Sequence, residues 1–139
     1  MTAKQYLEQA YLLNQAICVK ANNLNYLREL SRFVRGADSS REKVAGGGTR
    51  DSVCDVVAQI DALERELGAE VVHLLELRRE IEERIDRVAN DTHRFLLLQR
   101  YINFRRWPEI AEDMHYSERN IYHLHGKALE DFSELQSGA

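Results

Sequence analysis

Residues 53–88 read VCDVVAQ IDALERE LGAEVVH LLELRRE IEERIDR V, and each of these blocks opens on an aliphatic residue: Val53, Ile60, Leu67, Leu74, Ile81 and Val88. The companion position three residues further on carries Val56, Leu63, Glu70, Leu77 and Arg84, flanked by Val57, Val71 and Ile85. A strict seven-residue apolar repeat belongs to a helix whose seam runs along a second helix, as in a coiled coil. With Asp51 or Ser52 as N-cap, the pattern predicts one helix over residues 51–90. At the α-helical rise this is a rod of roughly 60 Å. Alone, such a rod has nowhere to bury its stripe, so it requires a partner.

The partner is expected upstream. Leu7, Ala10, Leu13, Ile17, Leu24, Leu27 and Val34 recur at gaps of three and four, which predicts a helix over residues 6–35, with Lys20 and Ser31 interrupting its stripe. Gly36 reads as its C-cap. Residues 36–50, with three consecutive glycines, read as a flexible linker. A second reading of that linker is a basic arm on DNA through Arg41, Lys43 and Arg50. Charge supports an antiparallel return: residues 1–50 hold 8 Lys/Arg against 4 Asp/Glu, and residues 51–90 hold 5 against 11. In that register Val34 lies near Val53 and Cys18 near residue 69, so Cys18 and Cys54 stay apart as two buried free thiols. The rod outruns the first helix by about ten residues. Its leftover seam is expected to take a second copy (a homodimer through the long helix), the C-terminal domain or another protein.

Composition narrows the function. Apolar residues make up 44% and charged residues 30%, too apolar a balance for a disordered chain, and one proline favours long helices. No 18-residue apolar run is present, so no membrane span is expected. The stretch Met1-Thr2-Ala3-Lys4-Gln5 leads into charged helix without a signal-peptide core, and the expected setting is cytoplasmic. Four of the five histidines, His93, His115, His123 and His125, fall after residue 90, but their spacing does not suit zinc, and no cofactor is expected. Neither a Ser/His/Asp order, paired inward carboxylates nor a phosphate loop occurs, so an enzyme is not expected.

The last third, residues 91–139, reads as a separate small domain. Asn90 and Asp91 break the repeat and cap a helix from Thr92 to Asn103 that is apolar around much of its girth. After Phe104-Arg105-Arg106-Trp107 comes a helix opened by Pro108 at its favoured first position, then the turn His115-Tyr116-Ser117. Ser117 is a strong N-cap for a final helix to about Leu135, with Ile121, Leu124, Ala128, Phe132 and Leu135 on one stripe. Two helices joined by three residues, the second capped, form the helix-turn-helix pattern. The expected fold class is therefore all-α: a long antiparallel helical hairpin followed by a small three-helix domain.

Leu98-Gln99-Arg100-Tyr101-Ile102, then Trp107-Pro108-Glu109-Ile110-Ala111 and Tyr116-Ser117-Glu118-Arg119-Asn120-Ile121-Tyr122, resemble the fourth region of sigma-70-type factors. Leu124-His125-Gly126-Lys127-Ala128-Leu129 is similar as well. The layout of the whole chain resembles a prophage-borne family of sigma-like regulators that includes the ArpU-type transcriptional activators. The resemblance implies a transcriptional regulator that reads a promoter or operator with its last helix, with double-stranded DNA as partner; whether RNA polymerase is contacted as well is left open by the sequence. His115 stands where that family has glycine, and the position tends to need positive φ.

On this reading Ser117, Glu118, Arg119, Asn120, Tyr122 and His123 face the major groove. Arg119 suits guanine, Asn120 adenine and Glu118 the cytosine amino group. Lys127, Arg105 and Arg106 would hold phosphates. Trp107 and His125 are expected to pack inside. The competing reading is an interaction module that binds RNA polymerase or a phage protein with little DNA contact. It draws on the balance after residue 90, where 6 Lys/Arg face 8 Asp/Glu.

Overall fold

The computed structural model describes residues 1–40 and 48–138, and among these the chain is all-helical: α1 (Ala3–Ser40), α2 (Gly48–Ile85), α3 (Asp91–Tyr101), α4 (Trp107–Met114) and α5 (Glu118–Ser137). No helix among the described residues is long and apolar enough to cross a membrane.

The helix ends are set by local hydrogen bonds. At the start of α1, the Gln5 N–H donates to Thr2 Oγ1 (3.2 Å) and the Thr2 N–H donates to Gln5 Oε1 (2.9 Å). This reciprocal capping box starts the helix ahead of Tyr6, where the apolar pattern begins. At the other end, α1 passes through Gly36, read from sequence as its stop, and continues to Ser40. A glycine inside a helix costs only about 1 kcal/mol relative to alanine. As a C-cap it would need a left-handed backbone, and no described glycine has positive φ. The expected linker thus shrinks at both ends, because α2 starts at Gly48 rather than at Asp51 or Ser52. Residues 41–47, with Arg41 and Lys43 of the basic-arm reading, lie outside the described residues.

The end of α2 comes at Ile85 instead of near residue 90. Asn90 is the reason. Its side chain accepts the N–H groups of Thr92 (2.9 Å) and His93 (3.1 Å), which requires the extended backbone found there (φ −73°, ψ 115°). The chain leaves the helix through a tight turn in which the Val88 N–H donates to the Ile85 carbonyl (2.9 Å).

The chain divides into two compact units, residues 15–72 and residues 1–14 together with 73–139. The division expected at residue 90 is therefore displaced. In the unit of residues 15–72, Leu24 and Ser31 are buried, and Ile17, Leu27, Val34, Ile60, Leu63 and Leu67 are half-buried. Two polar interruptions, one per stripe, meet: the Lys20 ammonium donates to Glu70 Oε1 and lies 3.9 Å from Glu66. Further along α1, Arg28 Nη2 donates to Glu64 Oε1 at 2.9 Å. The α2 partner thus steps back from Glu70 to Glu64 as the α1 residue advances from Lys20 to Arg28. This register is offset by about one helical turn from the one expected, which placed Cys18 near residue 69. Cys18 and Cys54 are free, but both are exposed rather than buried. Each sits beside its stripe, next to inward Ile17 and Val53, instead of on it.

The second unit holds most of the apolar core. Leu7 and Ala10 of α1, Ile81 and Ile85 of α2, and Val88 are almost completely buried there, with Leu96, Leu97, Ile110, Ile121, Ala128 and Phe132. Phe132 stacks on Tyr6 with ring centroids 6.0 Å apart, and the Arg84 guanidinium lies 4.7 Å from the Tyr6 ring. The leftover seam of the rod is consequently occupied within the chain. Ile81, Ile85 and Val88 are at most 1% exposed and leave nothing for a homodimer through that seam.

Candidate nucleic-acid interface

The site is built from the α3–α4 turn onward. Phe104 takes a left-handed backbone (φ 56°), and the Arg105 N–H reaches back to the Gln99 carbonyl at 3.0 Å. Arg100 braces the same turn by donating from Nη1 to the Arg105 carbonyl (3.0 Å). Helix α4 begins at Trp107, so Pro108 is its second residue rather than its first. Its cap, Arg106, makes no side-chain cap bond. Proline lacks an N–H, and one donor of that uncapped end is thereby removed rather than satisfied.

The end of α4 is a Schellman motif. His115 adopts φ 60°, ψ 38°, its N–H donates to the Glu112 carbonyl (3.2 Å), and the Tyr116 N–H donates to the Ala111 carbonyl (2.9 Å). The positive φ expected at His115 is present. Two residues on, Ser117 is extended (φ −70°, ψ 157°) and its Oγ accepts the Asn120 N–H at 3.2 Å, capping α5.

Helix α5 separates its faces sharply. Ile121, His125, Ala128 and Phe132 are buried. Leu135, read as the last member of that stripe, is 42% exposed, because the core ends at Phe132. Under the buried face, Ile110 and Ala111 of α4 are buried and Met114 is half-buried. His93 of α3 is bonded through Nδ1 to Asp131. The Tyr101 hydroxyl and His125 Nε2 share a hydrogen bond (2.6 Å), and Trp107 packs edge-on against His125 (centroids 4.5 Å apart) beneath the Arg100 guanidinium (4.5 Å). Burial, reinforced by the positive charges of Lys4 and Arg100, pushes His125 down to about 4, so the ring is neutral at pH 7. Trp107 and His125 are thus packing groups, as expected. The sequence reading did not find the Arg100–Trp107–His125–Tyr101 stack, since its members come from three elements.

On the opposite face, Glu118, Arg119, Asn120, Tyr122, His123 and Lys127 are all exposed, as is Ser117. Among the described residues, Arg119, His123 and Lys127 make no ion pair or side-chain hydrogen bond. Gly126 lies on the same surface with open space where a Cβ would stand. Tyr122 is 53% exposed and leans on Trp107 (5.5 Å between centroids), which holds its ring beside the α4 N-terminus. Arg105 and Arg106 are placed differently. Arg105 is paired with Asp113 (2.5 Å) and Glu109 (3.4 Å), and its charge is compensated. Arg106 is 77% exposed and only 3.9 Å from Glu109. The structure brings seven of the nine nominated residues together on and before the outward side of α5, and sets Arg105 apart as a brace of α4.

No curated protein and no solved structure matches this chain. A match to a family does cover residues 34–133, from the end of α1 through most of α5. By that span the chain belongs to the family described as a protein of unknown function (DUF1492).

Proposed function

We propose that this chain is a sequence-specific DNA-binding transcriptional regulator of phage or prophage type, reading a promoter or operator with α5. In this reading α4 and α5 are a sigma-like helix-turn-helix, with α5 as recognition helix. Helices α1 and α2 form an antiparallel hairpin that carries it. One observation supports the reading above the rest: the first turns of α5 present Arg119, Asn120, Tyr122, His123 and Lys127 outward, with Arg119, His123 and Lys127 unpaired among the described residues, on a helix whose other face is fixed in the core. Those side chains are free to meet base edges, and Lys127 and Arg106 flank them for phosphates.

Selection of bound duplexes from a randomised DNA library, followed by fluorescence anisotropy on the enriched duplex, tests it. Wild type is expected to prefer that duplex. Arg119→Ala and Asn120→Ala are each expected to lose roughly ten- to hundredfold on it, with Asn120→Ala, which removes no charge, keeping nonspecific affinity. If no sequence is enriched, or if both variants match wild type on every duplex, the proposal fails.

The compensated Arg105 favours a second reading, a module for RNA polymerase or a phage protein. Neutralising a phosphate-contact candidate with Glu109 and Asp113 weakens DNA attraction. Co-purification of RNA polymerase by a chain with no duplex preference would support that reading against the first.

A further inference from the structure

The apolar seam of α1 faces α2, yet the helix carries a second apolar line pointing outward. Within residues 15–72, Val19, Tyr26 and Phe33 are 68%, 62% and 74% exposed, and they stand seven residues apart. Leu12 keeps the interval one heptad earlier in the sequence but belongs to the other compact unit, so the surface is drawn without it. Single exposed apolar residues are ordinary; three large ones in heptad register are not. A repeat of seven is the period at which one helix packs along another.

The surroundings of this line are as informative. From Gln9 to Leu27 the sole charged residue is Lys20, and its ammonium is bound to Glu70. The outward neighbours Cys18, Asn22, Asn23 and Asn25 are polar and uncharged. In a chain that is 30% charged, a helix face exposed to water is expected to carry charge, as the outer side of α2 does with Glu76, Arg79 and Glu83. Up to Leu27 the line meets its own copy without charge repulsion; around Phe33 the charged residues Glu29, Arg32 and Arg35 are exposed, and a two-fold axis at Tyr26 sets Glu29 against the uncharged Asn23 of the other copy.

We propose that Val19, Tyr26 and Phe33 form a self-association surface, on which a second copy of this chain packs its own α1 in antiparallel orientation. A two-fold axis at Tyr26 places the two tyrosines together and sets the small Val19 of each copy against the large Phe33 of the other. A parallel pair would instead bring the two Glu29 carboxylates to the seam. Side chains exposed to this degree offer on the order of 400 Å² per copy, against ~800 Å² per partner in a standard stable interface. The dimer is accordingly weak, dissociating at on the order of micromolar concentration. This association needs no DNA and holds whether or not α5 binds it.

Sedimentation velocity of the full chain without DNA, from about 1 to about 100 μM, tests the proposal. Wild type is expected to pass reversibly from monomer to dimer. Tyr26→Lys is expected to weaken association at least about tenfold, with far-UV circular dichroism confirming unchanged helix content. Val19→Lys and Phe33→Glu, each defective alone, are expected to associate when mixed, because antiparallel packing sets one new charge against the other. A wild type that stays monomeric throughout, or a Tyr26→Lys chain that associates normally, overturns the surface. Failure of the mixed pair to associate overturns the orientation.

Discussion

His115 occupies a left-handed backbone at φ 60°, a conformation that strains any residue with a Cβ. The Schellman bonds at the end of α4 fix that geometry whatever the side chain, so glycine would satisfy it without the strain. His115→Gly is expected to stabilise the chain by about 0.5–1 kcal/mol, read as a higher urea midpoint at unchanged slope. His125 offers a sharper test. Its folded value is pushed down to about 4 from the ordinary 6.5, chiefly by burial. The unfolded chain therefore takes up the proton first as pH falls. This contribution is fully present above about pH 6.5 and is lost progressively towards pH 4. Two to three units correspond to roughly 3 kcal/mol at most. Urea unfolding at pH 7 and at pH 4.5 is expected to show wild type losing more stability than His125→Gln over that interval. The Ser117 cap was legible in the sequence because it follows from local backbone chemistry, whereas positive φ at residue 115 was expected only from the resemblance to a family with glycine there. The depressed His125 was not legible, since it depends on Tyr101, Trp107 and Arg100 converging from other elements.

Helices show the same division between local and distant causes. The heptad of α2 correctly identified the inward positions, of which Leu74, Ile81 and Val88 are buried outright. It did not predict that Lys20, read as an interruption of the α1 stripe, would pair with Glu70 of the companion position and set the register. Nor did it mark the helix ends. A cap is one side chain acting on one turn, and Asn90 stops α2 from continuing although Val88 still obeys the repeat. Gly36 distinguishes the two accounts of α1. If it were a left-handed C-cap, alanine would destabilise the chain. In a helix interior with open space around the missing Cβ, alanine removes only backbone entropy. Gly36→Ala is therefore expected to raise stability by about 0.5–1 kcal/mol, measured by thermal unfolding with helicity followed at 222 nm.

At the scale of the whole molecule, net charge −4 limits any nucleic-acid affinity. On and beside the α5 face the exposed cations among the described residues are Arg119 and Lys127, which are unpaired, and Arg106, which lies 3.9 Å from Glu109; Arg105 is held by Asp113. For one copy on DNA, the proposed function predicts a slope of log affinity on log salt of about −3 or shallower, near −0.9 per phosphate contact. Anisotropy titrations at several salt concentrations measure it, and the α1 self-association proposed above would steepen it as the protein concentration rises. A slope as steep as about −10 would mean that the cations lie elsewhere. Sequence alone determined that the chain is all-helical, that one long helix needs a partner, and that a capped turn at residues 115–117 starts the last helix, because periodicity and capping act over a few residues. Only the tertiary structure decided that the end of the long helix and the first turns of α1 belong to the C-terminal core, that both cysteines are exposed, and that Val19, Tyr26 and Phe33 are left uncovered. Those outcomes depend on which apolar face is buried first by its neighbours, and a face shows in the sequence while its occupant does not.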